Sequence, residues 1–150
     1  MPITMIQPDL SMRPFHLAVE HTFDAAPEMV YWAFTLDLDK WFAEPGTLLM
    51  RAEVNEPFFF ETVHLGERYP HYGRFIRLEP PRVIEMTWVN GPAGTSGVET
   101  VLTLELSANG AGTDLLLRHE GFLNEAAARK HEEAWPVILD NLDKVFRRPW

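Results

Sequence analysis

Segment 125–146 carries the pattern that most restricts how this chain can fold. Its apolar side chains recur at three- and four-residue spacing, which predicts an amphipathic α-helix with one buried face. That face consists of Trp135, Ile138, Leu139, Leu142, Val145 and Phe146. Asn124 is a good N-cap for this helix. A helix about 33 Å long at 1.5 Å per residue needs another element along its whole apolar side.

Pro136 lies in the middle of this predicted helix. Proline has no N–H and its ring crowds the preceding turn, which typically costs about 3 kcal/mol inside a straight helix. We expect a bend at this residue. The bend would let the C-terminal half lie on a sheet while the other half, with His131, leans over the space below.

The rest of the chain predicts an antiparallel meander. A strand is followed by a short helix over about 27–36, and by a second helical turn that Pro45 and Gly46 end. Short connections rich in turn residues then separate further strands, as in hairpins. The seven predicted strands are 15–23, 47–54, 57–65, 71–79, 82–89, 97–107 and 112–120. A sheet with one apolar face and a helix with one apolar face can satisfy each other by packing together.

Composition and charge exclude several classes of function. Thirteen basic residues against 22 acidic ones give a net charge of −9, whereas nucleic acids and anionic membranes attract basic surfaces. There is no cysteine, so disulfides, thiolate metal sites and thiol nucleophiles are excluded. The six histidines lack metal-binding spacing, and no phosphate loop, dinucleotide fingerprint or serine nucleophile elbow occurs. We expect no metal, no cofactor, no nucleic acid and no membrane as partner.

The length of 150 residues fits one domain with one core. The proline-containing residues 1–13 predict a flexible N-terminal tail, and residues 14–148 a single domain. No apolar stretch approaches the roughly 18 residues of a membrane span, and the N-terminus lacks the pattern of a signal peptide. The simplest inference is a cytoplasmic protein.

Four segments in this order resemble one known family. They are "HTFDAAPEMVYWAFTLDLDKW", "GRFIRLEPPRVIEMTW", "GTDLLLRHEGF" and "AWPVILDNL". The chain resembles the START-like (SRPBCC) superfamily over about residues 15–146. Within it, the chain looks like the family named for the activator of the Hsp90 ATPase. The resemblance implies an α+β helix-grip fold of order β-α-α-β6-α, in which a curved antiparallel sheet wraps the C-terminal helix. Many relatives hold an apolar ligand between the two.

The space under the helix is the candidate site. An empty apolar void of some 300 Å³ would cost about 7 kcal/mol, comparable to the stability of a whole domain. The space must therefore be small, filled by large side chains, wetted by polar groups, or occupied by a ligand. His119 shares a strand face with Leu115 and Leu117. We expect Tyr72 and Arg74 to turn inward as well, unless a bulge at Gly73 between them reverses the register. The predicted ligand-binding residues are Trp32, Phe60, Tyr72, Arg74, Trp88, His119, His131, Trp135 and Leu139.

Three functions are open, two of them in this space and one on an outer surface. The first is non-enzymatic binding of a small hydrophobic molecule. The second, implied by the resemblance to relatives that cyclise or dehydrate polyketides, is a cyclase- or dehydratase-type enzyme for an aromatic or polyketide substrate, with His119 or His131 and Arg74 as acid and base. The third, which the family name implies, is an adaptor that docks on a chaperone or another subunit through an outer surface. The sequence leaves open whether the chain forms a homodimer or binds a chaperone.

Overall fold

The computed structural model describes residues 7–148. Its elements are β1 (Phe15–Phe23), α1 (Pro27–Ala33), a 3₁₀ turn (Leu38–Lys40), β2 (Pro57–His64), β3 (Glu67–Glu79), β4 (Val83–Asn90), β5 (Thr100–Asn109), β6 (Gly112–Phe122) and α2 (Glu125–Phe146). Within these residues the strands form one antiparallel sheet in the order β1-β6-β5-β4-β3-β2. The predicted helix-grip fold is confirmed.

The prediction of seven strands is wrong by one, because segment 47–54 is not a strand. It pairs with β2 through one isolated β-bridge, in which Leu49 and Phe59 exchange backbone hydrogen bonds of 2.8 and 2.9 Å, and the Thr47 hydroxyl accepts a hydrogen bond from the Glu61 N–H at 3.0 Å. The chain then turns away, and Asn55 takes a left-handed conformation at φ 69°. The second predicted helical turn is present as the 3₁₀ turn.

Helix α2 continues through Pro136. Its bounds are those of the predicted helix, 125–146. The Asn124 side chain accepts a hydrogen bond from the Ala127 N–H at 2.9 Å, which confirms the N-cap. Trp135, Leu139 and Leu142 are buried on the face toward the sheet. The bend expected at Pro136 stays a prediction.

The inward face of the sheet follows the predicted alternation. Ile84, Met86 and Trp88 of β4 are buried. So are the β5 residues Leu102, Leu104 and Leu106. This face and the buried side of α2 together form the core.

Strand β3 departs from expectation around Gly73. A Cβ on Gly73 would lie 2.1 Å from the Thr87 carbonyl oxygen and 2.9 Å from the Phe58 ring, so this inward position holds no side chain. The register irregularity falls later, between Phe75 and Arg77. His71 and Phe75 therefore point inward with Gly73.

Tyr72 and Arg74 consequently lie on the outer face of β3. Both are exposed, and the Arg74 guanidinium donates to the Asn55 carbonyl at 2.9 Å. The expectation that they turn inward is wrong, because His71, Gly73 and Phe75 take the inward positions of this part of β3 without any bulge at Gly73.

Part of the predicted N-terminal tail contacts the sheet. The Arg13 guanidinium donates to the carbonyls of Gly121 at 2.8 Å and Glu99 at 2.6 Å. Leu10 lies against Gly121. Residues 1–6 of the predicted tail lie outside the described residues.

Candidate ligand-binding site

The gap beneath α2 is apolar and almost completely filled. Its walls are Phe34, Leu38, Trp41, Phe42, Met50, Met86, Trp88, Leu102 and Trp135. The remaining cavity measures about 10 Å³. That is roughly the room of one water molecule. The sequence allows four alternatives for this space, and the structure agrees with two of them: the space is small, and large side chains fill it.

Aromatic rings fill the gap from both sides. Trp88 on β4 lies 5.8 Å from the Trp135 ring on α2, and 6.3 Å from the Phe42 ring in a nearly parallel arrangement at 19°. Trp41 packs edge to face on Phe34 at 5.3 Å and donates its indole N–H to the Ala33 carbonyl at 2.6 Å. These contacts hold the side chains that occupy the predicted ligand space.

Five of the nine wall residues belong to one connecting segment, residues 34–50, which we call the cover segment. Its later part is held to the sheet by the Glu44 N–H, which donates to the Glu61 carbonyl at 2.7 Å, and by the bridge at Leu49. Trp41, Phe42 and Met50 are only partly buried. The cover segment therefore forms the side of the gap that faces outward.

His119 is a core residue with both ring nitrogens in use. The Trp135 indole N–H donates to His119 Nδ1 at 3.2 Å, so the ring proton is on Nε2. Nε2 donates to the Thr100 hydroxyl at 2.7 Å, and that hydroxyl donates to the Trp88 carbonyl at 2.6 Å. This chain of hydrogen bonds fixes the ring and joins α2, β6, β5 and β4.

Two further histidines pack among the aromatic rings of this core. His131 contacts it edge to face at 5.3 Å, and His71 stacks on Phe60 at 4.8 Å. The Nδ1–H of His131 donates to the Ala127 carbonyl and that of His71 to the Tyr69 carbonyl, both at 2.9 Å. Each neutral ring therefore keeps Nε2 as a hydrogen-bond acceptor.

Burial keeps these rings neutral. It lowers the pKa of His119 well below its ordinary value, and the nearby His131 lowers it further. The pKa of His71 is lowered to about 4, chiefly by burial, although its bond to the Tyr69 carbonyl opposes the shift. Burial also lowers the pKa of His131, against the bond to Ala127. At neutral pH the three rings offer hydrogen bonds but no positive charge.

The predicted ligand-binding residues separate into three groups. Trp88 and Trp135 line the gap. Phe60, His119, His131 and Leu139 pack in the surrounding core. Trp32, Tyr72 and Arg74 lie away from it, and the Trp32 side chain is 44% exposed on α1.

Sequence reasoning missed most of the walls and one histidine. The cover segment contributes five wall residues although it has no regular periodicity for most of its length. His71 was missed because the predicted inward register of β3 was off by one residue. Its alternation with Phe75 and Gly73 was the available signal.

A larger depression of about 700 Å³ lies elsewhere, on the opposite face of the sheet. Charged side chains of both signs contribute to its lining, among them Glu20, Arg77, Arg82, Glu105 and Asp114. An apolar ligand bound there would remove charged groups from water, which is unfavourable. The small gap under α2 therefore remains the candidate for hydrophobic ligands.

No helix among residues 7–148 combines the length and hydropathy that a membrane crossing requires. No match to the chain was found among curated proteins.

Solved structures share the fold over nearly the whole chain. Protein CV1439 from Chromobacterium violaceum is 25% identical, with a TM-score of 0.76 over 90% of this chain and 99% of that one. CalU16 from Micromonospora echinospora is 26% identical, with a TM-score of 0.63 over 85% and 73%. PFC0360w, an Hsp90 activator from Plasmodium falciparum, is 17% identical, with a TM-score of 0.70 over 90% and 98%.

A family model matches most of the chain as well. The model of "Activator of Hsp90 ATPase homolog 1-like protein" matches residues 24–147, from the end of β1 through α2. The chain belongs to this family.

Proposed function

We propose that the protein binds a small, flat hydrophobic molecule between the cover segment and the pair Trp88 and Trp135. The observation that carries the proposal is the composition of the walls, since all nine residues are apolar or aromatic. Trp88 also adjoins His71 at 5.3 Å. A free Nε2 beside an aromatic slot supports binding of a molecule with one hydroxyl or N–H group. A cytoplasmic location is part of this proposal.

The ligand must displace side chains to bind. A gap of about 10 Å³ holds no organic molecule, so Phe42 and Trp41 have to move outward with the cover segment. The open form is the minor one. The apparent dissociation constant is therefore the dissociation constant of the open form divided by the fraction of molecules that are open. We therefore expect micromolar rather than nanomolar binding.

Native mass spectrometry of the gently purified wild-type chain tests the proposal. We expect a fraction of the protein to carry an apolar molecule, and aromatic probes to change the tryptophan fluorescence with saturation at one site. A protein of bare mass that binds none of a panel of hydroxylated aromatics would refute ligand binding.

Matched variants locate the site. Trp88→Leu removes one wall of the slot and should weaken probe binding at least about ten-fold. Trp32→Leu changes an exposed tryptophan on α1 and should leave binding unchanged. Equal effects of the two variants would place the probe outside the gap.

A second candidate function is docking on a chaperone, and one surface feature favours it. Met29 and Trp32 lie three residues apart on α1, Leu36 follows in the turn after it, and these side chains, which we call the apolar row, are 50%, 44% and 47% exposed. An exposed apolar row with a tryptophan is typical of a protein interface. The matched structure PFC0360w is described as an Hsp90 activator.

Titration with a purified Hsp90-class chaperone tests docking. We expect binding that Trp32→Ser weakens at least about ten-fold, because tryptophans often dominate interfaces. Leu65→Ser is the control, since Leu65 is 90% exposed at the β2–β3 turn, outside the row. Unchanged binding by the Trp32 variant would contradict this surface.

The enzymatic alternative has weaker support. His119 is enclosed in the core with both nitrogens bonded, and Arg74 lies on the outer face. A general acid or base must come within hydrogen-bond reach of a substrate atom. His131, half-buried with a free Nε2, is the remaining candidate from the predicted pair of acid and base.

A further inference from the structure

A second polar cluster lies at the other end of α2, where the helix faces β1. His21 of β1 and Asp143 of α2 are 122 residues apart in sequence, and their Nε2 and Oδ2 atoms lie 2.6 Å apart. Asp140 precedes Asp143 by three residues and therefore shares its side of the helix. One possible ligand atom from each of the three residues lies within 4.8 Å of the others.

The Asp143 carboxylate is incompletely satisfied. Asp143 is 7% exposed and interrupts the apolar side of the helix between Leu139, Leu142 and Phe146. Its Oδ1 is buried without a hydrogen-bond partner, alone among the side-chain atoms of residues 7–148. A buried carboxylate oxygen is unfavourable unless a proton donor or a cation contacts it.

The charges around this carboxylate point to a cation. In the described part of the chain, neither Asp140 nor Asp143 forms an ion pair with a lysine or an arginine. The nearby Arg147 pairs with Asp24 instead. Among residues 7–148, two carboxylates and one imidazole thus converge without an ion pair to a lysine or an arginine.

We propose that His21, Asp140 and Asp143 bind one divalent transition-metal ion of the Zn²⁺ class. One imidazole and two carboxylates are a nitrogen and oxygen ligand set that Zn²⁺ accepts at about 2.0 to 2.2 Å, whereas Ca²⁺ and Mg²⁺ prefer oxygen alone. Three ligands around a tetrahedral ion lie about 3.3 Å apart at these bond lengths. The His21 and Asp143 atoms lie 2.6 Å apart and no two of the three ligand atoms are more than 4.8 Å apart, so binding requires these side chains to shift to that spacing.

The metal takes the place of the proton that His21 shares with Asp143, and water completes the coordination. It joins the sheet edge to the C-terminal half of α2. A plain ion pair between His21 and Asp143 accounts for only one carboxylate and leaves Oδ1 unpartnered. The metal site uses all three residues and is independent of the apolar gap.

Metal titration of the full chain tests the site. The chelator-treated protein is titrated with Zn²⁺ against a chromophoric chelator, and with Co²⁺ by visible absorption. We expect one ion per chain. Asp140→Asn should weaken Zn²⁺ binding at least about ten-fold, the scale on which even outer-shell changes act. Because Asp140 is exposed, this variant keeps the fold.

Glu133→Gln is the matched control, because Glu133 is an exposed acid on the same helix outside the cluster. It should bind Zn²⁺ as the wild type does. His21→Gln should abolish the Co²⁺ absorption bands by removing the nitrogen ligand. Absence of stoichiometric Zn²⁺ binding overturns the proposal, and so does equal affinity of the wild type and Asp140→Asn.

Discussion

The hydrogen-bond chain through His119 makes a quantitative prediction for Thr100→Val. Valine has nearly the shape of threonine but no hydroxyl. The substitution therefore removes the acceptor for His119 Nε2–H and one donor to the Trp88 carbonyl. Thr100 and His119 are both fully buried, so water cannot replace the lost partners without opening the core.

The expected loss in the free energy of unfolding comes mainly from the His119 Nε2–H, which the substitution leaves without an acceptor. A buried donor without a partner costs about 1 to 3 kcal/mol, and the added methyl group returns up to about 0.8 kcal/mol. Loss of the hydrogen bond from the Thr100 hydroxyl to the Trp88 carbonyl costs less free energy, because this carbonyl also lies within the paired strands β4 and β5. We expect the free energy of unfolding to fall by about 1 to 2 kcal/mol. For a domain of this size the Tm should fall by about 2 to 8 °C.

Urea unfolding measures this loss as a lower midpoint at unchanged slope. Thr103→Val is the control, because the Thr103 hydroxyl bonds to Glu85 at 2.9 Å in a half-buried pair that water can reach. It should cost less than about 0.5 kcal/mol. In a His119→Phe background the Thr100 substitution should cost less than in the wild type. Equal losses at Thr100 and Thr103 would falsify the assigned network.

Three further predictions address other parts of the fold. Because the folded-state pKa of His71 is lowered to about 4 from 6.5, the unfolded chain binds more protons between these values. His71 alone should thus lower the free energy of unfolding by up to about 1.4 kcal/mol per pH unit as pH drops from about 6.5 to 5. His119 and His131 add losses in the same direction, so the slope should be shallower, but not zero, in His71→Phe. Gly73→Ala should lower the urea midpoint strongly, since its Cβ would overlap the Thr87 carbonyl, whereas Gly91→Ala has open space. Asn124→Ala should cost about 1 kcal/mol by circular-dichroism melting, through loss of the N-cap bond.

Periodicity predicted the fold wherever one face of an element is buried along its length. Alternation in β4 and β5 predicted one apolar face on each strand, and the three- and four-residue spacing in α2 predicted one on the helix. The structure buries apolar residues on each of these faces. Segment 47–54 has strand-like composition, but Leu49 is the only residue that bridges to β2. Composition indicates that a segment can be extended, whereas pairing depends on where the chain runs.

The site was less accessible from the sequence for a similar reason. The position of the β3 irregularity decides whether Tyr72 or His71 faces the core, and one residue of shift reverses the side. Asp143 reads as a polar interruption of the helix face until His21 is placed opposite to it. No local pattern links residues so far apart in the chain.

The filled gap also limits which free-energy terms could drive the proposed ligand binding. At about 24 cal/mol per Å³, a void of about 10 Å³ costs only about 0.2 kcal/mol, so relief of an empty cavity cannot drive binding. The driving force has to come from burying the ligand, offset by the exposure of Phe42 and Trp41. A ligand in a preformed cavity would protect the cover segment from hydrogen exchange. A ligand that displaces these rings should instead increase exchange over residues 34–50 while it protects the α2 amides around Trp135.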